Sequence, residues 1–164
     1  MVKYVMLALS FMSIVCMAEP LTNVAALVGV QLTDKEIARL PSCDSTSPDT
    51  VFLGTVKALR TGNLRELYYH FEANYLYSLT GLHDLKGVSE ETASSFRSVM
   101  SDGSFSNIVI MAYSVTTSSH LLRVASSLRE NYSCRTLENP FTLTVRKTAS
   151  GWKVVSYDDD KWDD

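Results

Sequence analysis

Residues 55–71 read TVKALRTGNLRELYYHF, and this stretch decides how the first half of the chain folds. Gly62 interrupts it, and glycine ends helices because it adopts the left-handed conformation at little cost. Asn63 followed by Glu66 is a polar pattern that begins a helix. Upstream, Ser47 and Pro48 fit a helix cap and a first helical position. The sequence therefore predicts one helix from residue 48 to Gly62 and a second helix after Asn63.

Apolar residues at helical spacing give each predicted helix one buried face. In the first helix these residues are Phe52, Val56 and Leu59. The second helix is predicted to run unbroken to Gly81, with a buried face made of Leu64, Leu67, Tyr68, Phe71, Tyr75 and Leu79. A third helix over residues 89–101 is predicted to begin at a Ser89 cap. Its buried face is made of Ala93, Phe96 and Met100.

Strands are predicted after the helices. Residues 108–115 are apolar on both faces, which predicts a strand in the centre of its sheet. Residues 121–132 fit a helix and a strand equally well and are interpreted here as a strand. Alternation of Phe141, Leu143 and Val145 with polar residues predicts a further strand, and the last strand covers residues 151–157.

The last two strands are predicted to form a hairpin. A three-residue loop over residues 149–151, with glycine at its left-handed position, sets Val145 opposite Val155 and Leu143 opposite Tyr157. This register gives one continuous apolar face, whereas a two-residue loop mixes lysine into that face. We therefore expect the three-residue loop.

Helices followed by antiparallel strands predict an α+β fold. Together with residues 142–159, TLTVRKTASGWKVVSYDD, the stretch quoted first resembles the nuclear transport factor 2-like superfamily, also called SnoaL-like. The resemblance rests on element order, on the helix-Gly-Asn junction and on Gly-Trp-Lys-Val in the last strand, and it covers residues 48–158. It implies a cone-like domain, in which three N-terminal helices pack on a curved antiparallel sheet and a pocket opens at the wide end.

The first 18 residues have the pattern of a secretory signal. Lys3 precedes an apolar stretch over residues 4–15, and small residues precede a cleavage position after Ala18. The stretch is shorter than the roughly 20 apolar residues that cross a bilayer. We expect a secreted or periplasmic protein with no stable membrane insertion after cleavage. The alternatives are a retained membrane anchor and a lipid-modified Cys16, which Val15 disfavours because lipoprotein signals have a small residue there.

The rest of the chain is predicted to have three parts. Residues 19–47 are an N-terminal extension with one short helix, because Thr33 and Glu36 fit a capping box and Pro41 lies beyond the helix end. The polar stretch 42–48 marks the start of the domain over residues 48–158. Residues 159–164 form an acidic tail.

Charge excludes one class of partner. Residues 19–157 carry 13 acidic and 13 basic residues, so this part has no net charge. Nucleic-acid binding needs a clustered basic excess, and we therefore expect no nucleic-acid partner. The tail DDDKWDD lacks the spacing of a calcium loop, and the three histidines lack zinc-ligand spacing. We expect no metal site and no cofactor.

Two cysteines, Cys43 and Cys134, remain after the predicted cleavage. An exported chain passes through an oxidising compartment, where thiols pair. One interpretation is a disulfide between them, and the other is two unrelated thiols, one of them buried. Neither cysteine has a nearby His or a Cys-x-x-Cys arrangement, so catalysis by either is not expected.

Aromatic residues suggest a binding function. Tyrosine combines an apolar ring with a hydroxyl, which suits a ligand pocket, although the same residues at helical spacing also fit a packed core. The predicted ligand-pocket residues are Tyr68, Phe71, Tyr75, Phe96, Tyr113 and Tyr157. The expected function is non-catalytic binding of a small apolar or aromatic ligand, or of a protein partner, through the mouth of the cone. The sequence leaves homodimerisation open.

Catalysis is the alternative. The predicted pocket strands carry no acid that would match the base of the family's isomerases, so no such role transfers to a residue of this chain. An isomerase or dehydratase would have to use His70 or Asp84. Glu66 lies one helical turn before His70 and would orient its ring, although such pairs are commonly solvated. A subunit of a cell-envelope assembly is a further alternative.

Overall fold

The computed structural model describes residues 19–80, 85–86, 88–102, 105, 107–117, 128–136 and 140–159. Within these ranges six helices precede four strands, and the predicted α+β class is confirmed. The helices are α1 Val24–Leu27, α2 Asp34–Ala38, α3 Pro48–Thr61, α4 Leu64–His70, α5 Ala73–Thr80 and α6 Glu90–Asp102. The strands are β1 Val109–Thr117, β2 Leu128–Arg135, β3 Pro140–Thr148 and β4 Gly151–Asp159. The predicted signal segment 1–18, Gly81 and residues 160–164 lie outside the described residues.

Local capping signals set the starts of the helices as predicted. Thr33 and Glu36 complete a capping box at α2. Ser47 caps α3 ahead of Pro48, and Gly62 ends that helix in the left-handed conformation with a φ of 63°. Ser89 accepts a hydrogen bond from the Thr92 amide at the start of α6 (3.1 Å). Each cap satisfies backbone groups that a helix end leaves without partners.

The predicted long helix after Asn63 is wrong, because the helix breaks at Phe71 and Glu72 into α4 and α5. Strand β4 takes two backbone groups that a continuous helix would use. The Glu72 amide donates to the Val154 carbonyl at 2.9 Å, and the Tyr69 carbonyl accepts from the Lys153 ammonium. Phe71 is extended at this point, with a φ of −87° and a ψ of 148°.

The described sheet is antiparallel with the order β1-β2-β3-β4. The prediction that β1 is central is wrong, because β1 lies at the edge. Its free backbone edge is partly paired with the N-terminal segment: Val28 bridges to Ile110, Gln31 bridges to Val109, and the Gly29 amide donates to the Ile110 carbonyl at 2.7 Å. This pairing covers backbone groups that an edge strand otherwise leaves open.

The β3–β4 hairpin differs from the prediction by one residue. Thr148 pairs with Gly151, so the loop has two residues instead of three, and Val145 lies opposite Val154 instead of Val155. A bulge after Val145 then inserts one extra residue into β4, which restores the predicted pairing of Leu143 with Tyr157. The apolar face is kept by the bulge and not by the loop length.

Strand β2 covers part of the ambiguous segment. Residues 128–132 belong to β2, so their interpretation as a strand is confirmed, and residues 121–127 lie outside the described residues. In β3 the buried residues alternate with less buried ones, as predicted from Phe141, Leu143 and Val145.

Residues 19–47, described from sequence as an extension, contribute to the same core as α3 and the sheet. Five apolar side chains of this segment are buried in that cluster: Val24, Leu27, Leu32, Ile37 and Leu40. The segment therefore packs as part of the folded body. Apolar burial is the main stabilising contribution available to it.

Candidate functional site

The structure places the predicted ligand-pocket residues in three different environments. Phe71 is buried in the core, and Phe96 and Tyr157 are partly buried against it. Tyr68 and Tyr75 are 39% and 40% exposed. Tyr113 pairs with Tyr132 in the sheet, and its side chain lies outside the described residues. The ligand pocket that these six residues would line stays a prediction.

Tyr157 belongs to an aromatic cluster inside the fold. Its ring stacks on Phe141 with a centroid separation of 5.4 Å, and Phe105 meets both rings edge-on at 5.8 Å and 6.3 Å. Phe105 is 8% exposed and Phe141 is 2% exposed. This cluster packs the sheet against the rest of the fold.

His70, a candidate catalytic residue, is fully buried. Among the described residues, neither ring nitrogen has a hydrogen-bond partner and neither does Glu66 Oε2, so Glu66 does not orient the His70 ring through a hydrogen bond. Burial lowers the pKa of His70 to about 4, with a further lowering by Lys153 and an opposing effect of Asp44. The ring is therefore neutral near pH 7. The other candidate, Asp84, lies outside the described residues.

Gly54 of α3 makes room for His70. A Cβ atom at position 54 would lie 2.4 Å from Nε2 and 2.6 Å from Cε1 of the His70 ring. The imidazole thus packs directly on the backbone of α3. A buried nitrogen without a partner carries a desolvation cost, so burying this ring costs stability that its packing must offset.

Lys153 joins β4 to α4 beside His70. Its ammonium donates to the Tyr69 carbonyl and lies 4.6 Å from the centroid of the Tyr69 ring. Burial lowers the pKa of Lys153, and Cys43 partly offsets this effect. The same region holds the linker before α3, since the Trp152 amide donates to the Ser45 carbonyl at 3.2 Å. These contacts fasten the linker and α4 to the last strand.

The two cysteines are not bridged. Cys43 is exposed and Cys134 is buried, and both thiols are free in the structure. Burial raises the pKa of Cys134, which keeps this thiol protonated and unreactive. Cys43 has a φ of 48°, in the left-handed region.

Tyr132 forms a polar contact that the sequence did not reveal. Its hydroxyl lies 2.8 Å from Asp49 Oδ1 and 2.7 Å from Glu130 Oε2, so one hydrogen is shared between two carboxylates. Its ring stacks on Phe52 with a centroid separation of 4.1 Å. Burial, together with hydrogen bonds to Glu130 and Asp49, raises the pKa of Tyr132 far above its ordinary value. The contact fastens the start of α3 to β2.

Helix α5 exposes aromatic side chains. Tyr75 is 40% exposed and Tyr77 is 46% exposed, whereas Leu76 between them is 1% exposed. Tyr68 on α4 is exposed to a similar extent. We call Tyr68, Tyr75 and Tyr77 the exposed tyrosines. Helix α5 contains no charged residue, so Tyr75 and Tyr77 lie on an uncharged helix.

Two pockets are lined entirely by described residues of the helices and the segments beside them. One, of about 430 Å³, is lined by Thr61, Gly62, Asn63, Leu64, Arg65, Ala93 and Arg97. The other, of about 460 Å³, is lined by Gln31, Leu32, Thr33, Asp34, Arg60 and Asn107. In the second pocket Arg60 forms an ion pair with Asp34 at 2.9 Å. Neither pocket is lined by a predicted ligand-pocket residue.

Among the described residues, no group of three or more His, Cys, Asp or Glu side chains is placed to hold a metal ion. The helices in these ranges include none with the length and apolar character needed to cross a membrane. The chain matches no protein family model, and no curated protein or solved structure matches it significantly.

Proposed function

We propose that this chain is an exported, non-catalytic binding domain that recognises a protein partner through the exposed tyrosines of α4 and α5. Export is supported by the signal pattern of residues 1–18, with cleavage after Ala18. The observation that carries the binding function is the exposure of Tyr68, Tyr75 and Tyr77, between 39% and 46%. A protein partner fits this arrangement better than a small ligand, because these rings face solvent.

The chemistry of the exposed tyrosines favours an uncharged partner surface. Tyrosine supplies a large, rigid contact area at low conformational cost, and it is enriched where protein surfaces meet. Helix α5 has no charge of its own. Residues 19–157 have no net charge, so long-range attraction does not select a partner by sign. The partner is expected to offer an apolar, uncharged patch.

The proposed fold is that of the nuclear transport factor 2-like superfamily. Support comes from the order of helices α3 to α6 before an antiparallel sheet, and from the Gly62–Asn63 junction between α3 and α4. In this proposal α3, the pair α4 and α5, and α6 serve as the three helices of the cone. Binding by the outer helical surface, in place of the cone mouth, is the specific departure proposed for this chain.

A non-catalytic role is favoured by the state of His70. The ring is fully buried, and in the described part of the chain both of its nitrogens lack partners, so a substrate does not reach them in this arrangement of α3 and α4. A general acid or base must reach the proton that it transfers.

The binding proposal is tested by site-specific photo-crosslinking in the source organism. A benzoylphenylalanine at position 77 should capture a protein that the same probe at Ser150, on the exposed β3–β4 turn, does not capture. The captured protein is then purified, and its affinity is measured for the wild-type chain and for the variant Tyr75→Ala/Tyr77→Ala. Truncation of a tyrosine that anchors an interface can cost about 2 kcal/mol or more, so the double variant should weaken binding at least about 30-fold. Equal capture from both positions, or an unchanged affinity, would contradict the proposal.

Export has a separate test. N-terminal sequencing of the protein recovered outside the cytoplasm should start at Glu19. A start at Met1 would show that the segment is retained, as in an anchored subunit of an envelope assembly.

A further inference from the structure

The pocket between the α3–α4 turn and α6 combines a defined cavity with two guanidinium groups. Arg65 of α4 and Arg97 of α6 line its volume of about 430 Å³, and both side chains are exposed. They come from different helices and are separated by 32 positions in the sequence. The tertiary fold therefore assembles this pair, and helix periodicity does not.

Gly62, which lines the pocket, lets the α3–α4 turn approach α6 closely. A Cβ atom at position 62 would lie 2.6 Å from the Arg97 Cα atom and 3.1 Å from its carbonyl oxygen. Gly62 also has a φ of 63°, which ordinary side chains rarely adopt. This contact fixes the position of Arg97 relative to the turn that carries Arg65.

The two guanidinium groups have no acidic partner. Neither the Arg65 nor the Arg97 side chain forms an ion pair or a hydrogen bond in the described part of the chain. By contrast, Arg60 pairs with Asp34 at 2.9 Å and Arg146 pairs with Glu72 at 3.4 Å. The pocket lining includes no carboxylate. The pocket is thus locally positive in a domain without net charge.

The neutral lining adds a further hydrogen-bond donor. The Asn63 side-chain oxygen already accepts from the Glu66 amide at 3.2 Å, which leaves its NH₂ group to donate. The Thr61 hydroxyl donates to the Lys57 carbonyl at 2.8 Å and is occupied. Two guanidinium groups and an amide NH₂ form a donor set that matches the oxygens of a phosphate or carboxylate group.

We propose that Arg65 and Arg97 form an oxyanion-binding site, which accepts a phosphate group or a dicarboxylate in the pocket between the α3–α4 turn and α6. The guanidinium groups bind the anion from opposite helices, and Asn63 donates from the turn. The site is separate from the exposed tyrosines and does not depend on the proposed protein partner.

The test is an NMR titration of the purified chain at low ionic strength, with inorganic phosphate in one arm and malonate in the other. Saturable shifts of the Gly62, Asn63 and Arg97 amide signals are expected in at least one arm, with a dissociation constant in the millimolar range or below. Saturation by phosphate alone assigns a phosphate ligand, and saturation by malonate alone assigns a carboxylate ligand. Absence of saturation in both arms would overturn the proposal.

Charge-matched variants separate this site from nonspecific attraction. Arg65→Gln and Arg97→Gln should each weaken binding about ten-fold, because each removes charge-assisted hydrogen bonds. Arg129→Gln and Arg135→Gln change the net charge equally on exposed positions of β2, and they should stay within about two-fold of wild type. An equal loss in both pairs of variants would also overturn the proposal. Unchanged amide spectra away from the pocket verify that each variant is folded.

Discussion

Replacement of Gly54 by alanine tests the packing of His70 directly. The new Cβ atom would lie 2.4 Å from Nε2 and 2.6 Å from Cε1 of the ring. Nonbonded heavy atoms normally approach to about 3.5 Å, so the ring or the helix must move by about 1 Å. The ring is fully buried and has no open space to enter. Alanine at position 54 is therefore a steric insertion into a closed part of the core.

Two opposing terms set the expected magnitude. Overpacking a core costs roughly 1–3 kcal/mol, and the enclosed ring favours the upper part of that range. A helix gains about 1 kcal/mol when alanine replaces an interior glycine. We therefore expect Gly54→Ala to lower the free energy of unfolding by about 1–2 kcal/mol.

Whether Gly54→Ala stabilises or destabilises the fold should depend on whether the His70 ring is present. In a His70→Ala chain the ring is absent, so only the helix-propensity term remains and Gly54→Ala should stabilise by about 1 kcal/mol. The assay is urea unfolding of the four chains of this cycle, followed by tryptophan fluorescence, with unchanged m-values as the check on two-state behaviour. A His70→Val background provides a second comparison. Stabilisation of the wild-type chain by Gly54→Ala would refute this account of the contact.

Three further outcomes are expected from the burial and the contacts described above. The pKa of His70 is lowered to about 4 in the folded chain, whereas it is about 6.5 in the unfolded chain. Because the unfolded chain takes up the proton first, the free energy of unfolding should fall as the pH drops from 6.5 toward 4. The full loss is about 3 kcal/mol, and a His70→Gln chain that shows the same pH dependence in urea titrations would contradict this assignment. Leu76→Ala should cost about 2–5 kcal/mol, and the neighbouring Tyr77→Ala should cost less because Tyr77 is 46% exposed. Similar melting temperatures for both variants would show that α5 packs differently. Tyr132→Phe removes the hydroxyl hydrogen that Asp49 and Glu130 share, and it should lower the free energy of unfolding by about 1–3 kcal/mol at neutral pH. Thermal unfolding measures this loss, and an unchanged melting temperature would argue against the contact.

Signals that act within a few residues were readable from the sequence. The capping box of Thr33 and Glu36 and the left-handed Gly62 occur as predicted, because each satisfies backbone groups of its own helix end. The class of fold follows from the same local patterns. No comparable short-range pattern indicated that Tyr132 would meet Asp49, which lies 83 positions away.

Features that depend on distant strands were not readable. The continuous helix predicted through Tyr75 would bury the Tyr75 side chain. Strand β4 interrupts that helix at Phe71, so α5 starts with a different face toward the core and buries Leu76 instead. Likewise, β1 lies at the edge of the described sheet despite its apolar sequence, and residues 28–31 pair with that edge. In both cases a tertiary contact overrides a local preference.

The contact between Phe71 and Val154 has a consequence for the order in which the chain folds. The two residues are 83 positions apart, and contacts of such long range form slowly because they close a large loop. During synthesis the segment from Leu64 to Thr80 is made well before β4. Until β4 docks, nothing opposes the helical preference of that segment, and one continuous helix is the favoured nascent form. The bend between α4 and α5 is therefore a late event, and a chain that stops before Gly151 should gain helix there instead of losing it.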